Sequence, residues 1–453
     1  MVPSALIYLG IMLAVICIWF MLMKRPVYEA VLVSFIVLVT VTNSWTNIGR
    51  YIEAGMSTSL IYSMIVFVAM SQLLTKTKIV DSCISIIISL LGPVTGGAGY
   101  VSIIASSFMG ALSGSGPGNV MATGVITIPA MKKSGFPAEL AANIESTSSY
   151  LGNMIPPSSN IVAALGAFVA LYPDSEITTG RFWIVLWGIA IWFILQRIVT
   201  VFCFCKYYKV KPMAKEELPD LKQTLKEGWQ GLLLPVIILA PFLVDSMLKT
   251  TFLTERLGEA GAKNFSSSLL LFIAGLAAIY TVLIVKDKKK VTIPAMARMF
   301  SEGIKSLAPA VATCLFGYMI GELFADLHVS ADLQFFIQSV HFSKFGMALF
   351  LPLLTCFLGM VIPGSSLVVV FGPVLITAFA MVGIDPLLAA AMLPCICGTM
   401  CGITPPLALG MYAGMSIAES DFDKTVKNDL WWVALQYIME VVILMGWLPI
   451  LGL

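Results

Sequence analysis

Long apolar runs separated by short clusters of basic residues organise this chain along its whole length. The first run covers residues 4–23 and ends at Lys24 and Arg25, and further runs cover about 27–42 and 56–75. An α-helix of roughly 20 apolar residues crosses the hydrocarbon core of a bilayer. The pattern therefore predicts an all-α protein that crosses the membrane many times.

The basic residues predict which side of the membrane each segment faces. Lys and Arg collect in cytoplasmic loops, so Lys76, the cluster at 206–226 and the run KDKKK at 286–290 are all placed in the cytoplasm. Predicted spans at about 228–247 and 266–285 separate the last two clusters. Because the first run also ends in basic residues, the N-terminus is predicted to lie outside.

The apolar stretch between Lys78 and Lys132 does not fit ordinary spans, because both of its ends are predicted to be cytoplasmic. A re-entrant hairpin resolves this conflict: the chain enters the membrane, turns at SGSGPGN (113–119) and returns to the same side. Irregular backbone at that depth must be buried in protein or line a cavity. Residues 79–92 then form a helix along the membrane interface.

A broken helix is predicted at 137–171. Its apolar run is interrupted by GNMIPPSSN (152–160), where two prolines remove backbone donors. The same features return later in the chain, with a second tip at IPGSS (362–366) and a second broken helix at 385–417, interrupted at 398–406. Each half of the chain therefore carries one hairpin and one broken helix.

Matching residues in the two halves recur at a nearly constant offset. The offset is 248 residues from Gly135 to Gly383 and 249 from Pro156 to Pro405. The first copy starts outside and the second inside, so the repeats are predicted to have inverted topology. Inverted repeats with interrupted helices in matching positions are typical of secondary transporters, whose binding site lies near the middle of the membrane.

Composition excludes other classes of protein. Of 453 residues, 58% are hydrophobic and 11% are charged, and 27 Lys and Arg nearly balance 25 Asp and Glu, which argues against a soluble or a nucleic-acid-binding protein. Two histidines, both predicted outside, and no GxxxxGK[ST] loop argue against an enzyme or an ATPase. The energy is therefore expected to come from a gradient or from another chain. The spacing of Cys395, Cys397 and Cys401 resembles a metal motif, but apolar packing is the preferred interpretation and no transition-metal site is predicted.

The two tips and the two helix breaks form the candidate binding site, because their backbone groups lack helical partners and can bind an ion or substrate oxygens. In the first copy, polar side chains accompany glycines that allow close approach: Ser113, Gly114, Ser115, Asn119, Gly152 and Asn153. The corresponding residues of the second copy are Gly364, Ser365, Ser366, Gly398, Thr399, Gly402, Thr404 and Pro405. Their arrangement in matched pairs predicts two cation sites.

Glu145 is an intramembrane carboxylate, which makes it a functional candidate. It lies seven residues before Gly152 and has three possible roles: a proton-coupling group, a wall of the substrate site, or a structural group buried against a partner. Its position in the second half is occupied by Pro394, so it does not belong to a symmetric site. Glu440 is expected near an interface and in contact with solvent.

Two stretches carry a family resemblance. SGSGPGNVMATGVITIPAMKKSGFPAELAANIESTSSYLGNMIPPSS (113–159) resembles the first hairpin and broken helix of the large membrane subunit of tripartite ATP-independent periplasmic (TRAP) transporters. ITPPLALGMYAGMSIAESDFDKT (403–425) resembles the matching signature of the second half. The two patterns together are most similar to the TAXI branch of this family, within the wider ion-transporter superfamily.

The resemblance implies an elevator-type Na+ symporter that imports a small organic anion, such as a carboxylate, dicarboxylate or amino acid, through the bacterial inner membrane. It also implies a periplasmic substrate-binding protein and a small four-helix membrane subunit as partners, membrane lipid as the surroundings, and no cofactor besides the coupling Na+. A transport domain moves against a scaffold through interfacial arm helices. The implied scaffold helices lie in 1–78, 172–325 and 419–453, the transport domain in 79–171 and 326–418, and the arms at 79–92 and about 326–343.

The family's site residues are carried over by motif. The first Na+ site falls on Ser113, Ser115, Gly152 and Asn153, and the second on Gly364, Ser365, Gly398, Thr399 and Thr404. The substrate is assigned to neighbouring positions of the same segments: Gly114, Asn119, Pro156, Ser366, Gly402 and Pro405. No Lys or Arg lies in these segments, so bound Na+ ions are expected to supply the positive charge for an anion.

An alternative within the same superfamily stays open. A self-sufficient H+- or Na+-coupled carrier or antiporter would need no binding protein and would use Glu145 as its proton site. TAXI-type membrane subunits are commonly fused to the small subunit, whereas this chain starts at the large-subunit repeat, so the small subunit is expected to be a separate chain or to be dispensable.

Overall fold

The structure is a computed structural model that describes residues 4–57, 59–77, 79–113, 116–248, 252–329, 332, 335, 339, 342–360, 364–405 and 408–453. These residues form helices and connecting turns, with no strand among them. The first ten α-helices are α1 Ser4–Cys17, α2 Val27–Val41, α3 Ile48–Ser57, α4 Ser59–Thr77, α5 Ile79–Leu91, α6 Gly97–Ser113, α7 Gly116–Lys133, α8 Ala138–Leu151, α9 Ser159–Leu171 and α10 Thr179–Tyr208. The others are α11 Leu221–Gly228, α12 Leu234–Leu248, α13 Thr254–Ile284, α14 Ile293–Asp326, α15 Lys344–Gly359, α16 Gly364–Met381, α17 Pro386–Leu393, α18 Met400–Ile403, α19 Leu409–Ala418 and α20 Phe422–Leu444.

Helical segments long and apolar enough to cross a membrane confirm an all-α, multi-pass membrane protein. Five such segments occur within the described part of the chain: Ala138–Leu171, Thr179–Tyr208, Asn264–Ile284, Gly364–Met381 and Pro386–Ile403. In the apolar 18-residue stretches of the two segments that contain helix breaks, 78% and 89% are buried by protein, whereas in that of Asn264–Ile284 only 25% is buried. The broken helices therefore lie in the protein core, and the irregular backbone is shielded there from lipid.

Two pairs of consecutive helices lie where the sequence predicts the hairpins. Helix α6 packs along α7, and α15 packs along α16. Helix α7 begins at Gly116 and α16 at Gly364, within the predicted tips 113–119 and 362–366. Pro117 fits in the first turn of α7. Backbone N–H groups in a first turn have no helical acceptor, so proline, which has no N–H, costs the helix no hydrogen bond there.

Both predicted broken helices are interrupted, but the second break starts earlier than the sequence suggests. Helix α8 ends at Leu151, continues as a 3-10 turn over Gly152–Met154, and gives way to α9 at Ser159. In the second half, a π-helical turn over Pro394–Thr399 opens the break four residues before the predicted 398–406. Proline in a helix interior removes one backbone hydrogen bond, which favours such a local widening.

Helix boundaries recur between the two halves. Helices α7 and α16 both contain 18 residues, and their first residues are 248 positions apart. Each is followed two residues later by a glycine with positive φ, Gly135 at +102° and Gly383 at +80°. Glycine is favoured at such positions after a helix, because other residues are strained in the left-handed region.

Polar contacts join helix ends that are far apart in the sequence. Lys76 Nζ lies 3.1 Å from Glu302 Oε2, both near ends predicted to be cytoplasmic. Arg181 Nε donates to the Gly452 carbonyl oxygen at 3.1 Å, which joins the start of α10 to the segment after α20. The sidedness of the loops and the orientation of the N-terminus stay predictions.

The segment predicted as the first arm is a helix, α5, which packs against α6 and α11. Half of the second predicted arm, about 326–343, lies outside the described residues. Helices α2, α4, α13 and α14 pack with one another away from the breaks, and the final helix, α20, packs against α8 and α15. The division into scaffold and transport domain stays a prediction.

Candidate functional site

The two helix breaks touch each other in the protein interior. Thr399 Oγ1 donates to the Tyr150 carbonyl oxygen at 2.9 Å, and Asn153 Nδ2 donates to the Gly398 carbonyl oxygen at 3.2 Å. All four residues are buried. The structure thus brings together the predicted residues of both breaks, although Asn153 and Thr399 lie 246 positions apart in the chain.

The first hairpin approaches the first break closely enough for their backbones to touch. A Cβ atom added to Gly152 would overlap with the main chain of Gly110 and Ala111, and one added to Gly110 would overlap with the Ser149 carbonyl oxygen. Main-chain atoms cannot rotate away as side-chain ends can. Only glycine therefore permits this approach of hairpin and break.

The same contact recurs at the second break. A Cβ atom on Gly359 would overlap with Cys401, and one on Gly364 would overlap with the Cys397 carbonyl and lie 2.9 Å from the Gly398 Cα. Gly359 lies 249 residues after Gly110, which is the offset seen between the Pro pairs of the two halves. Both halves therefore use close backbone packing to seat a hairpin end on a helix break.

Helix ends give these two junctions a mixed electrostatic character. Helices α6 and α8 end at Ser113 and Leu151, so the carbonyl groups of their last turns carry partial negative charge. Helix α7 begins at Gly116, and the N–H groups of its first turn carry partial positive charge. The carbonyl ends of helices favour a cation, and the N-terminal end of a helix favours an anion.

The remaining predicted residues occupy varied positions. Ser366 is buried in the first turn of α16 and Ser365 is exposed, whereas the Thr404 hydroxyl donates to the Met400 carbonyl oxygen at 2.7 Å. Pro156 and Gly152 lie in the buried first break, and Pro405 lies in a turn of the second break. Ser113 is the last residue of α6, and Gly114 and Ser115 lie outside the described residues.

Tyr150 is a component of the site that the sequence did not reveal. Its ring is enclosed by glycines of three segments: a Cβ atom would lie 2.5 Å from the ring at Gly116, and would overlap with it at Gly402 and at Gly410. The ring therefore fills the space between the first hairpin and the second break. The signal was present only as glycines in separate segments, of which Gly402 was assigned to the substrate from the sequence.

Glu145 is fully buried and surrounded by hydroxyl groups. Its carboxylate accepts hydrogen bonds from five side chains of α6, α7 and α8: Ser102 at 2.7 Å, Ser106 at 2.8 Å, Thr127 at 2.5 Å, Ser149 at 3.1 Å, and Thr123. The carboxylate thus ties both helices of the first hairpin to the broken helix. Of the three roles considered from the sequence, the contacts favour the structural one.

The prediction that Glu440 contacts solvent is wrong. Glu440 is fully buried, and its Oε1 atom accepts from Gln436 Nε2 at 3.0 Å and from Cys395 Sγ at 3.3 Å. The fully buried Arg197 donates to the Oε1 atom of the same Gln436 at 2.8 Å. Because Gln436 and Glu440 are four residues apart on α20, they form a polar stripe that faces protein beside the second break.

Comparisons with known proteins agree with this architecture. The model of the family "Tripartite ATP-independent periplasmic transporter, DctM component" matches residues 7–451. The C4-dicarboxylate TRAP transporter large permease protein DctM of Vibrio cholerae is 25% identical over 414 residues, covering 85% of this chain and 84% of the relative. The sialic acid TRAP transporter large permease protein SiaM of Vibrio cholerae is 25% identical over 366 residues, covering 80% of this chain and 79% of the relative.

Solved structures show the same fold in more distant proteins. The efflux pump MtrF of Neisseria gonorrhoeae superimposes with a TM-score of 0.67 at 13% identity, covering 89% of this chain and 85% of the pump. The YdaH transporter of Alcanivorax borkumensis gives a TM-score of 0.64 at 14% identity, covering 90% of this chain and 88% of YdaH. The chain belongs to the DctM family, the large permease component of TRAP transporters, and is a membrane transport protein, not an enzyme.

Proposed function

We propose that this chain is a Na+-coupled large permease that imports a small organic anion by an elevator movement of its hairpins and broken helices. The observation that carries the proposal is the direct contact of the two breaks, through Thr399 with the Tyr150 carbonyl and Asn153 with the Gly398 carbonyl. These contacts link two buried, irregular segments of opposite halves. A rigid unit with ligand groups at its centre is what an elevator movement requires.

The cation sites are placed where hairpin ends meet helix breaks. Carbonyl-rich helix ends near Ser113 and Leu151 supply oxygen ligands in the first half, and Gly359 and Thr399 mark the corresponding junction in the second. Hard oxygen ligands suit Na+, and unwound carbonyls and half-helix C-termini coordinate Na+ in other transporter folds. The recurrence of helix bounds supports two such sites related by an inverted repeat.

The charge balance explains why Na+ coupling is useful. Each Na+ that enters a negative interior gains about 2.3 kcal/mol per 100 mV, and a carboxylate moving the same way loses the same amount per charge. With two or more Na+ per monovalent anion, the net movement of charge is inward and favourable. The near-absence of fixed positive charge at the site is then compensated by the bound ions.

The substrate class and the partners are inferred from the family. The large permeases of TRAP transporters work with a periplasmic binding protein and a small membrane subunit. The names of two relatives include C4-dicarboxylate and sialic acid, and both of these compounds are organic acids. The chain is accordingly proposed to lie in a bacterial inner membrane with its N-terminus outside, and to receive a carboxylate from a binding protein.

The test of this function is uptake into liposomes that contain the chain and its small membrane subunit, with binding protein added outside. Uptake of labelled C4-dicarboxylates and sialic acid is followed under an inward Na+ gradient. Replacing external Na+ by choline is expected to lower the initial rate about tenfold or more, because the driving force and the positive charge at the site are both lost.

Two other results would redirect the function. Uptake that ignores Na+ and stops when a pH gradient is collapsed would contradict Na+ coupling and favour the proton-coupled alternative at Glu145. Uptake that continues at full rate without any binding protein would contradict the proposed partner and favour a self-sufficient carrier. In both experiments the membrane potential is clamped with K+ and valinomycin, so that a change in uptake does not come from a change in potential.

A further inference from the structure

A chain of hydrogen bonds leads from Glu145 to the amide of Asn119. Ser149 Oγ donates to Glu145 Oε1 at 3.1 Å, and Asn119 Nδ2 donates to Ser149 Oγ at 2.9 Å. The same Nδ2 group donates to the Ser106 carbonyl oxygen at 2.7 Å. All of these residues are buried, so the chain runs through the interior of the first hairpin and the broken helix.

The hydrogen bonds fix which way the Asn119 amide faces. A backbone carbonyl only accepts, so the atom that faces the Ser106 oxygen must be the NH2 group. Ser149 has a single hydroxyl proton, and once this proton is directed at Glu145, the Ser149 oxygen accepts the second N–H of Asn119. Glu145 therefore sets the direction of the Ser149 hydroxyl, and Ser149 together with the Ser106 carbonyl fixes the orientation of the amide.

This orientation leaves the Asn119 carbonyl-type oxygen unused. Asn119 is 1% exposed, and its Oδ1 atom has no hydrogen-bond partner among the described residues. Leaving a buried acceptor unsatisfied costs about 1–3 kcal/mol, so such an atom calls for a ligand. Asn119 lies in the first turn of α7, and its Nδ2 atom is 3.3 Å from the position of a Cβ on Gly110, at the junction with the first break.

We propose that Asn119 Oδ1 is a direct ligand of the cation at the first junction, and that Glu145 is a positioning residue that acts through Ser149 to present this oxygen. Both N–H groups of the amide are already used inside the protein, so Asn119 has only an acceptor to offer. An acceptor repels a carboxylate and attracts a cation. Asn119 thus belongs with the cation ligands and not with the substrate ligands, where sequence motifs placed it.

The hydroxyl cage explains how Glu145 performs this role without touching the ion. Five hydroxyl groups donate to its two oxygens, so the carboxylate is held from α6, α7 and α8 at once. Ser149 is one of these donors, and it cannot reverse its proton without breaking a contact to the carboxylate. The position and direction of the Asn119 amide are therefore set by the packed hairpin before any ion arrives.

The proposal rests on the proposed Na+ coupling and is tested by Na+ binding, without any substrate. The full chain in lipid nanodiscs is titrated with ²²Na+ at constant ionic strength in choline chloride. Ser149→Ala is expected to weaken Na+ binding about tenfold, since one hydrogen bond that orients the ligand is lost. Glu145→Gln is expected to weaken it as well, because its amide nitrogen cannot accept from the surrounding hydroxyls.

Ser148→Ala is the matched control. Ser148 is the neighbouring buried hydroxyl on α8, but it donates back to the Ile144 carbonyl oxygen at 2.5 Å and takes no part in the chain to Asn119. We expect Na+ binding of this variant within about twofold of the original protein. Melting temperatures of all variants in choline chloride report on folding separately from ion binding.

The combination with Asn119→Ala separates positioning from a general structural role. If Ser149 acts only through Asn119, Ser149→Ala has no further effect on Na+ affinity once Asn119 is alanine. Equal losses for Ser149→Ala and Ser148→Ala, or additive losses with Asn119→Ala, would overturn the positioning role. An original protein that binds no ²²Na+ would instead refute the proposed Na+ coupling, and the cation ligand with it.

Discussion

Replacing Gly152 by alanine abolishes uptake, lowering the initial rate about a hundredfold or more. The added Cβ would overlap with the backbone of Gly110 and Ala111, which belong to the rigid end of α6. Since no side chain can rotate aside, the hairpin must move away from the break by an ångström or more, and misplacement of about 1 Å at a binding site commonly costs about a hundredfold in rate. The measurement is Na+-driven uptake in liposomes, normalised to the amount of folded protein.

The control for this substitution is Gly275→Ala in α13. A Cβ atom on Gly275 meets nothing within 4 Å, and the residue lies in a helix away from both breaks. Alanine is favoured over glycine in a helix interior by about 1 kcal/mol, so this variant should keep its uptake and its stability. Uptake by Gly152→Ala at the rate of Gly275→Ala would show that transport does not require the close contact of hairpin and break.

Much of the fold follows from local signals in the sequence. The run SGSGPGN and the Pro156-Pro157 pair interrupt apolar stretches. In the structure α6 ends and α7 begins within the first of these segments, and the proline pair lies in a helix break. Glycine and proline act on the backbone of their own residues, which is why they can be interpreted without tertiary context. Basic residues such as Lys76 likewise report sidedness directly, because their placement depends on the membrane and not on packing.

Other parts of the site depend on contacts that the sequence does not reveal. Glu440 lies only a few residues from the end of α20, so its position suggested solvent, but Gln436 and Cys395 enclose it. Tyr150 fills a space whose walls come from Gly116 and Gly402, far apart in the chain. The sequence pattern shows which segments form apolar helices, but packing decides which helix faces meet inside the bundle.

The two halves also differ in how they brace their breaks. Glu145 reaches the first hairpin from the broken helix itself, and its counterpart by sequence offset is Pro394, which carries no carboxylate. The structure places the carboxylate of Glu440 against Cys395, the residue next to Pro394, from the separate helix α20. A buried acidic group therefore stands beside each break, although the repeat pattern predicted only one.

Replacing Arg197 by methionine destabilises the protein by about 3 kcal/mol, because a buried charge loses its compensation. Arg197 and Glu440 are both fully buried and are connected through the side chain of Gln436. Methionine has a similar length but no donor, so Glu440 remains as an isolated charge beside the second break. The free energy of unfolding in mixed micelles with increasing denaturant measures the loss, compared with the original protein under the same conditions.

Arg181→Met and the double variant Arg197→Met with Glu440→Gln test the cause. Arg181 lies on the surface, and its Nε atom donates to the Gly452 carbonyl oxygen, so its loss should cost less than about 1 kcal/mol. In the double variant the neutral amide that replaces the Glu440 carboxylate keeps an oxygen for Gln436 and Cys395, and stability should recover by more than half, because no unpaired charge is left inside the protein. If the double variant is as unstable as Arg197→Met alone, the packing of the arginine stem, not its charge, holds α10 to α20, and the carboxylate beside the second break has no part in it.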